Sequence, residues 1–518
     1  MCTRNLRPLL MLGLLIVGCD SAATEPMTDG EPIGSLNLIP MPTMIFGDAG
    51  HLILDADARI SVAAGLFAVG EELAEGLRPA TGWRWEVTSD NPSPGDIALV
   101  LDAARTDLGD EGYALIVDER RVTVLAAAPA GVFYGSQTLR QLLPAEIESS
   151  TTVEGAVWRI PMVTIEDVPR FEWRGVMLDV ARHFFDVEEV MRVVDLAARY
   201  KLNRFHLHLT DDSGWRIEID AWPDLTAIGA TTDYSGGDGG FFTKEDFVDI
   251  VAYAEARFVT IVPEINMPGH TNAALASYAE LNESGERTEL TPTVPFGSSS
   301  LWIDGPETAR FVEEVIEEVT ALVPGRYFHI GGDEALATEP DDYAAFIAMA
   351  QKVVESQGKI MVGWEEIGRA DLAPPFVAQH WLRREDARAA RDKGARIIAS
   401  PASNAYLDMK YDASTPIGLV WAGFTDVRDA YEWDPVPPGF IESDVMGVEA
   451  PLWTETIDDM GDVELMMFPR LLGCAELGWS RPEDLEWEAY RARLAAHGPR
   501  LAAHGVNFYR SPLVDWLP

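Results

Sequence analysis

The chain has 518 residues, 47% of them hydrophobic, with 15 Trp, 43 Gly and 33 Pro, a composition that excludes fibrous and disordered classes and leaves room for two cores. Its formal charge of −44 excludes nucleic acid and anionic membrane surfaces as partners, because both would repel it. So dense a carboxylate surface is tolerated best where salt screens it, as in a saline habitat.

The first residues, MCTRNLRPLLMLGLLIVGCD, set Arg4 and Arg7 ahead of an apolar run from Leu9 to Val17. That run is too short to span a bilayer as a permanent helix. It ends in Ile16-Val17-Gly18-Cys19, which resembles the lipobox of bacterial lipoproteins. The resemblance implies a signal peptide over 1–18, cleavage before Cys19 and lipid on the Cys19 thiol. An ordinary secretory signal is the alternative, and both readings predict export to the cell envelope. Residues 19–35 read as a small, polar, acidic tether. With Cys2 removed and Cys19 lipidated, only Cys474 remains, so no internal disulfide is expected.

Residues 36–168 read as a smaller α+β domain. GYALIVDERRVTVLAA (112–127) alternates around Asp118-Glu119-Arg120 as a hairpin does, and GVFYGSQTLRQLL (131–143) has helical spacing of Val132, Leu139 and Leu142. After residue 170 the pattern becomes strand, loop, helix, repeated. Strands are predicted at 173–180, 204–210, 258–265, 326–332, 359–364, 375–381, 395–400 and 446–453. Helices are predicted between them at 186–201, 243–257 and 306–323, the last with Pro306 at its first position. Eight such units over 169–518 predict an α/β chain whose larger domain is a (β/α)8 TIM barrel.

Active sites of such barrels lie at the C-terminal ends of the strands. Those ends carry Asp179, Arg182-His183, Asp211-Asp212, His270, Asp333-Glu334, Trp364, Trp381, Trp453 and Glu455. A ring of acids with three tryptophans and an arginine at one mouth suggests a sugar site, where carboxylates grip hydroxyls and aromatic faces pack on the ring. Any one of these residues alone fits a core or capping role.

The segments RGVMLDVARHFF (174–185), KLNRFHLHLTDDSGWRIEI (201–219), VPEINMPGH (262–270) and HIGGDEA (329–335) resemble the exo-β-N-acetylhexosaminidases of glycoside hydrolase family 20. So do AYLDMKY (405–411), WAGFTDVRDAYEWDP (421–435) and GVEAPLWTETI (447–457). The resemblance implies retaining, substrate-assisted release of terminal GlcNAc or GalNAc from glycans or chitooligosaccharides, without a cofactor or metal. On an extended strand end, adjacent side chains point opposite ways. Glu334 is thus expected to face the glycosidic oxygen as general acid, and Asp333 the 2-acetamido group. The resemblance further implies that Arg174 binds the ring hydroxyls at positions 3 and 4. Asp408 and Glu455 would hold those at 4 and 6, and Tyr406 would donate to the acetamide oxygen. Trp364, Trp381 and Trp453 would wall the acetamide and ring, while His270 with Asp211 would orient Glu334. Asn266 and Ser213 depart from the family pattern at positions assigned no catalytic part. The loop 231–240 and the segment 284–303 match no family motif and are expected to shape the leaving-group side.

Two rivals come from other classes. His206 and His208 form an H-x-H pair on one strand face followed by acids, as in metal-dependent barrel hydrolases. Against this, the pair falls on the second strand, and His329 precedes two glycines. The other rival is a non-catalytic carbohydrate-binding lipoprotein, which the presence of both the acid pair and Tyr406 argues against.

Overall fold

The computed structural model describes residues 36–517. The lipobox, Cys19 and the tether lie outside the described residues. Strands β1 (Met44–Ile53), β2 (Ile60–Val62), β3 (Val87–Thr88), β4 (Ile97–Leu101), β5 (Tyr113–Val117), β6 (Val122–Ala126) and β7 (Arg159–Asp167) form one mixed sheet in the order β1-β7-β5-β6-β4-β2-β3. The expected hairpin is β5–β6, in antiparallel register with Val117 opposite Val122. Its turn closes on Asp118, whose Oδ1 accepts the backbone N–H groups of Arg120 and Arg121 at 2.7 and 3.0 Å. The expected helix spans Pro129–Leu142 and is buried on almost every side, because it lies between this sheet and the second domain. Phe133 and Tyr134 reach across to Phe258, Tyr134 by donating to its carbonyl at 3.3 Å.

The second domain is a closed parallel barrel. After β8 (Trp173–Asp179) and β9 (Arg204–His208) comes a small hairpin, β10 (Thr210–Asp211) with β11 (Gly214–Trp215). The barrel continues through β12 (Thr260–Glu264), β13 (Tyr327–His329), β14 (Ile360–Trp364), β15 (Phe376–His380), β16 (Arg396–Ala399) and β17 (Val445–Leu452), which closes on β8. Seven of the eight barrel strands fall inside a predicted run, and β17 begins one residue ahead of its own. They read as continuous apolar stretches because both faces are covered, by helices outside and packed side chains inside.

The helices start where local chemistry dictates. Asp186 and Glu189 form a capping box ahead of Val187–Arg199, and Thr243 with Asp246 does the same for Lys244–Glu255. The third predicted helix begins later than expected. It spans Thr308–Leu322, so Pro306 lies outside it, in a turn where Thr308 donates its backbone N–H to Gly305 and its hydroxyl to the Trp302 carbonyl.

The two domains are locked together by buried ion pairs at the N-terminal end of the barrel. Glu148 accepts from Arg140 of its own domain and from Arg199 and Arg500 of the barrel domain. Lys201 reaches Asp167 at 3.0 Å, with both side chains buried. The opposite end of the barrel is left open, and the acids collect there.

Candidate active site

β13 has only three residues, and the chain then leaves the sheet through a turn that side chains other than glycine resist. Gly331 and Gly332 have φ of 68° and 91°. A Cβ on Gly331 would lie 1.9 Å from Asn266 Oδ1. Tyr343 braces the turn by donating to the Gly332 carbonyl at 2.6 Å. Glu334 is itself left-handed, with φ of 50°, a conformation that non-glycine residues keep only where the surroundings enforce it. Asp333 and Glu334 therefore sit on a backbone that twists between them and do not continue an extended strand as expected, and both carboxylates come to the same His270 nitrogen.

The turn gives the two acids one shared neighbour and one that belongs to Asp333 alone. Asp333 Oδ1 accepts from Asn266 Nδ2 at 2.8 Å. Glu334 Oε2 lies 3.4 Å from His270 Nε2, whose distance to Asp333 Oδ2 is 3.7 Å. The other ring nitrogen of His270 lies 3.4 Å from Asp211 Oδ1 and 3.5 Å from Asp212 Oδ2. Burial opposes a charge on this imidazole, but Asp211 outweighs it and raises His270 well above the ordinary histidine range. Asp211 resists protonation although buried, because Arg182 (2.8 Å) and His270 hold it well below the usual carboxylate range. Asp333 behaves differently. Burial pushes it up to about 6, with His270 pulling the other way and Glu334 adding to the rise.

An aromatic wall stands over the acids. Trp364, Trp381, Tyr406 and Trp453 pack into one buried cluster with Met177 and Met409. Trp381 stacks on Tyr406 at 6.3 Å and 13°. Trp381 and Trp453 face a cavity of about 560 Å³, and Trp364, 1% exposed, packs behind Trp453 at 5.7 Å. Burial, then Asp408 and Asp333, raise the Tyr406 hydroxyl well above its ordinary range, so it is a neutral donor. Asp408 and Glu455 line the same cavity. Both oxygens of Asp408 and Oε2 of Glu455 are buried without a hydrogen-bond partner. Burial raises both groups: Glu455 adds to the rise at Asp408, while Arg182 opposes it at Glu455. Two buried acceptors lacking protein donors are suited to a ligand that brings its own hydroxyls. A larger cleft of about 860 Å³ at the domain seam is also lined by acids, among them Asp110 and Glu111, but Glu111 is paired with Arg174 and none of them is a buried carboxylate without a partner.

One expected site residue lies elsewhere. Arg174 is the second residue of β8, about 17 Å below the strand's end at ~3.3 Å per residue. Its fully buried guanidinium pairs with Glu111 of the smaller domain at 2.9 Å and packs over Trp479, so it serves the domain seam. The arginine of the cavity is Arg182, just past the end of β8. It joins Asp179, Asp211 and the face of Trp453, 4.9 Å from that ring's centroid. Its signal was the second arginine of RGVMLDVARH. Asn266, given no part from sequence, is the hydrogen-bond donor to Asp333. Glu366 was also missed: burial and Asp333 push it up to about 8, and it accepts the Trp381 indole N–H at 3.1 Å. Trp421, half exposed, edges onto both Trp381 and Tyr406.

His329, just ahead of the two glycines, turns its ring to the barrel interior and stacks on His206 at 4.5 Å. His206, Glu264 and His329 come within reach of a common point. The donor set does not suit a metal ion, however. His206 lies between Glu449 (2.8 Å) and Glu264 (2.9 Å), which outweigh burial and push it up to about 9, whereas a ligating imidazole must be unprotonated.

Residues 171–482 match the catalytic domain of glycosyl hydrolase family 20, and 35–168 match domain 2 of the same family. The chain is 41% identical to a β-N-acetylhexosaminidase of Cellulomonas fimi over 92% of this chain and 97% of that one. Among solved structures, the family 20 β-N-acetylhexosaminidase of Streptomyces coelicolor A3(2) superposes with a TM-score of 0.90 at 45% identity, covering 94% of this chain and all of that one. A variant of the Streptomyces plicatus β-hexosaminidase in complex with product GlcNAc also gives 0.90, at 47% identity over 93% of this chain and 98% of that one. With the paired acids, the aromatic wall and the barrel that carries them, these matches establish that the chain belongs to glycosyl hydrolase family 20.

Proposed function

We propose that this site removes a terminal GlcNAc or GalNAc from glycans or chitooligosaccharides by retaining, substrate-assisted hydrolysis. The chain is a glycoside hydrolase of the β-N-acetylhexosaminidase class, and the assignment of residues to steps follows from their placement. The sugar ring lies against Trp453 and Trp381, with hydroxyls donated to Asp408 and Glu455 and accepted from Arg182. Glu334 gives its proton to the glycosidic oxygen as the C1–O bond breaks. The substrate's acetamide oxygen, held by the Tyr406 hydroxyl, closes onto C1 to form an oxazolinium ion. Asp333 accepts the acetamide N–H and stabilises the positive charge that develops. Glu334, now a carboxylate, takes a proton from water, which opens the ring at C1. Two displacements at C1 leave its configuration unchanged.

The observation that carries this reading is the placement of Asp333 and Glu334 after the Gly331-Gly332 turn, side by side at His270 with Asp333 also tied to Asn266. Pro292, Thr293, Val294 and Phe296 of the segment 284–303, with Tyr234 of the loop 231–240, line the same cavity and shape the leaving-group side. Glu334→Gln should lower turnover by roughly 10²–10⁴-fold on a poor leaving group and much less on a nitrophenyl glycoside, which needs little protonation. Equal losses on both would remove Glu334 from the acid role.

The lipobox supports anchoring of the mature chain to the cell envelope through lipid on Cys19. Wild-type protein should then sediment with membranes, and Cys19→Ala should release it or block its processing. Fully soluble wild-type protein beginning well past Cys19 would refute the anchor.

A further inference from the structure

One buried carboxylate under the site has no place in the steps above. Glu264 ends β12, is 0% exposed and does not line the substrate cavity. In the sheet it stands level with His208 of β9 and His329 of β13. Its two oxygens serve different structures. Oε2 faces His208 Nδ1 at 2.5 Å, and lies 2.9 Å from His206 Nε2 without hydrogen-bond alignment. Oε1 accepts the Trp364 indole N–H at 2.9 Å and lies 3.2 Å from His329 Nδ1.

Each oxygen leads to one half of the chemistry. From Oε2 the contacts run through His208 to Asp211 Oδ2 at 3.0 Å, from Asp211 Oδ1 to His270 at 3.4 Å, and from His270 to Glu334 at 3.4 Å. From Oε1 they run through Trp364 to Trp453, the tryptophan that faces the sugar. The branches meet again, since Trp453 packs edge-on against His208 at 4.9 Å.

The geometry points to Glu264 as a positioning residue that fixes the general acid and the sugar-binding wall in register with each other. The inference rests on Glu334 being the acid. An ionised Glu264 keeps His208 in its imidazolium form, with one N–H donated to each side. His208 then shares Asp211 Oδ2 with Arg182 (2.8 Å), while Oδ1, which accepts the Asp212 backbone N–H at 2.6 Å, is the oxygen that faces His270. The groups facing His208 are Glu264 from β12, Asp211 from β10 and, at longer range, Asp179 from the end of β8. All are acids, and they outweigh burial and push His208 up to about 10. Glu264 is in turn held well below the usual carboxylate range, because His208, His329 and His206 outweigh its burial. A buried carboxylate with no contact to substrate is costly unless paired, and here each of its oxygens has a neighbour that the reaction depends on.

The test dissects the two branches in the full chain. Glu264→Gln keeps the size and an acceptor oxygen but removes the charge. It should lower kcat/KM on chitobiose by about ten-fold more than on nitrophenyl N-acetyl-β-glucosaminide, a part of what a general acid contributes. It should also weaken inhibition by free GlcNAc about three-fold or more, in the range of a lost aromatic contact. Should that variant not fold, the branches can be cut singly. His208→Gln should show chiefly the leaving-group effect, with an altered alkaline limb of the pH–rate profile and a smaller loss of GlcNAc inhibition than Trp364→Phe, because only its edge contact with Trp453 is lost. Trp364→Phe should show only the weaker GlcNAc inhibition. Equal losses on both substrates with unchanged GlcNAc inhibition, in Glu264→Gln or in the single-branch pair, would reduce Glu264 to a structural residue. Glu334→Gln run alongside separates the two claims. If it shows no dependence on leaving group, the acid assignment fails; if it does and the others do not, this inference alone fails.

Discussion

Asp333 and Asn266 set the acid side of the pH dependence. The oxazolinium ion needs Asp333 as an anion, and burial pushes this carboxyl up to about 6. Activity should therefore be lost as pH falls through about 6, as a limb of kcat/KM for the free enzyme. The Asn266 N–H donates to Asp333 and favours its charged form. Asn266→Ala should thus raise the Asp333 pKa further and move the acid limb to higher pH, while leaving the maximum rate at alkaline pH the less affected quantity. A pH–rate profile of wild type and variant checks this; an unmoved or acid-shifted limb would detach Asn266 from the titration. The residue was legible in VPEINMPGH, but its role was not. That role depends on the left-handed turn at Gly331, which folds Asp333 back over the end of β12.

At the level of elements, the barrel was legible because each of its strands is a short apolar run bounded by polar loops. Seven of the eight runs, all but 395–400, also end in chemistry-bearing residues at the mouth. The smaller domain was legible through the alternation of β5–β6 and the spacing of its helix Pro129–Leu142. What the sequence left open was depth along a strand. Arg174 and Arg182 stand in one motif, and only the seven-residue length of β8 shows that they belong to opposite ends of the barrel. Strand alternation led to opposite orientations being expected at Asp333-Glu334, but the chain has already left the strand there and both carboxylates come to His270. Glu366 was illegible for a different cause. Its burial depends on Trp381 arriving from the next strand, so no local pattern marks it. Helix ends set by capping boxes were readable, whereas the Thr308 start depends on a turn through Trp302 and Gly305.

The whole molecule holds two domains together at the end of the barrel remote from the chemistry, and Glu148 is the centre of that seam. Burial opposes its charge, but Arg140, Arg199 and Arg500 win and hold it well below the usual carboxylate range. A depressed folded-state pKa contributes stability that is present above the unfolded value of about 4.3 and lost as pH falls below it. Glu148→Gln leaves three arginines without their shared anion and should cost about 3–5 kcal/mol at neutral pH. The deficit relative to wild type should shrink below about pH 4, where the carboxylate protonates in the unfolded wild-type chain while the folded one stays ionised. Urea midpoints across pH measure both effects, and a deficit that does not change with pH would mean that packing, not charge, holds the seam. Active-site geometry should survive the substitution wherever the protein stays folded, because the seam and the mouth share no residue.

The central claim is that the substrate, not the protein, supplies the nucleophile. Its most direct measurement is the rate on nitrophenyl N-acyl-β-glucosaminides whose acyl methyl carries none, one, two or three fluorines. Fluorine withdraws electrons from the carbonyl oxygen while hardly altering its size. If that oxygen attacks C1 under Asp333, kcat/KM must fall steeply along the series, with configuration retained and no sugar bound covalently to the chain. A flat series, or a glycosyl ester isolated on Asp333, would contradict the account and make Asp333 an ordinary nucleophile.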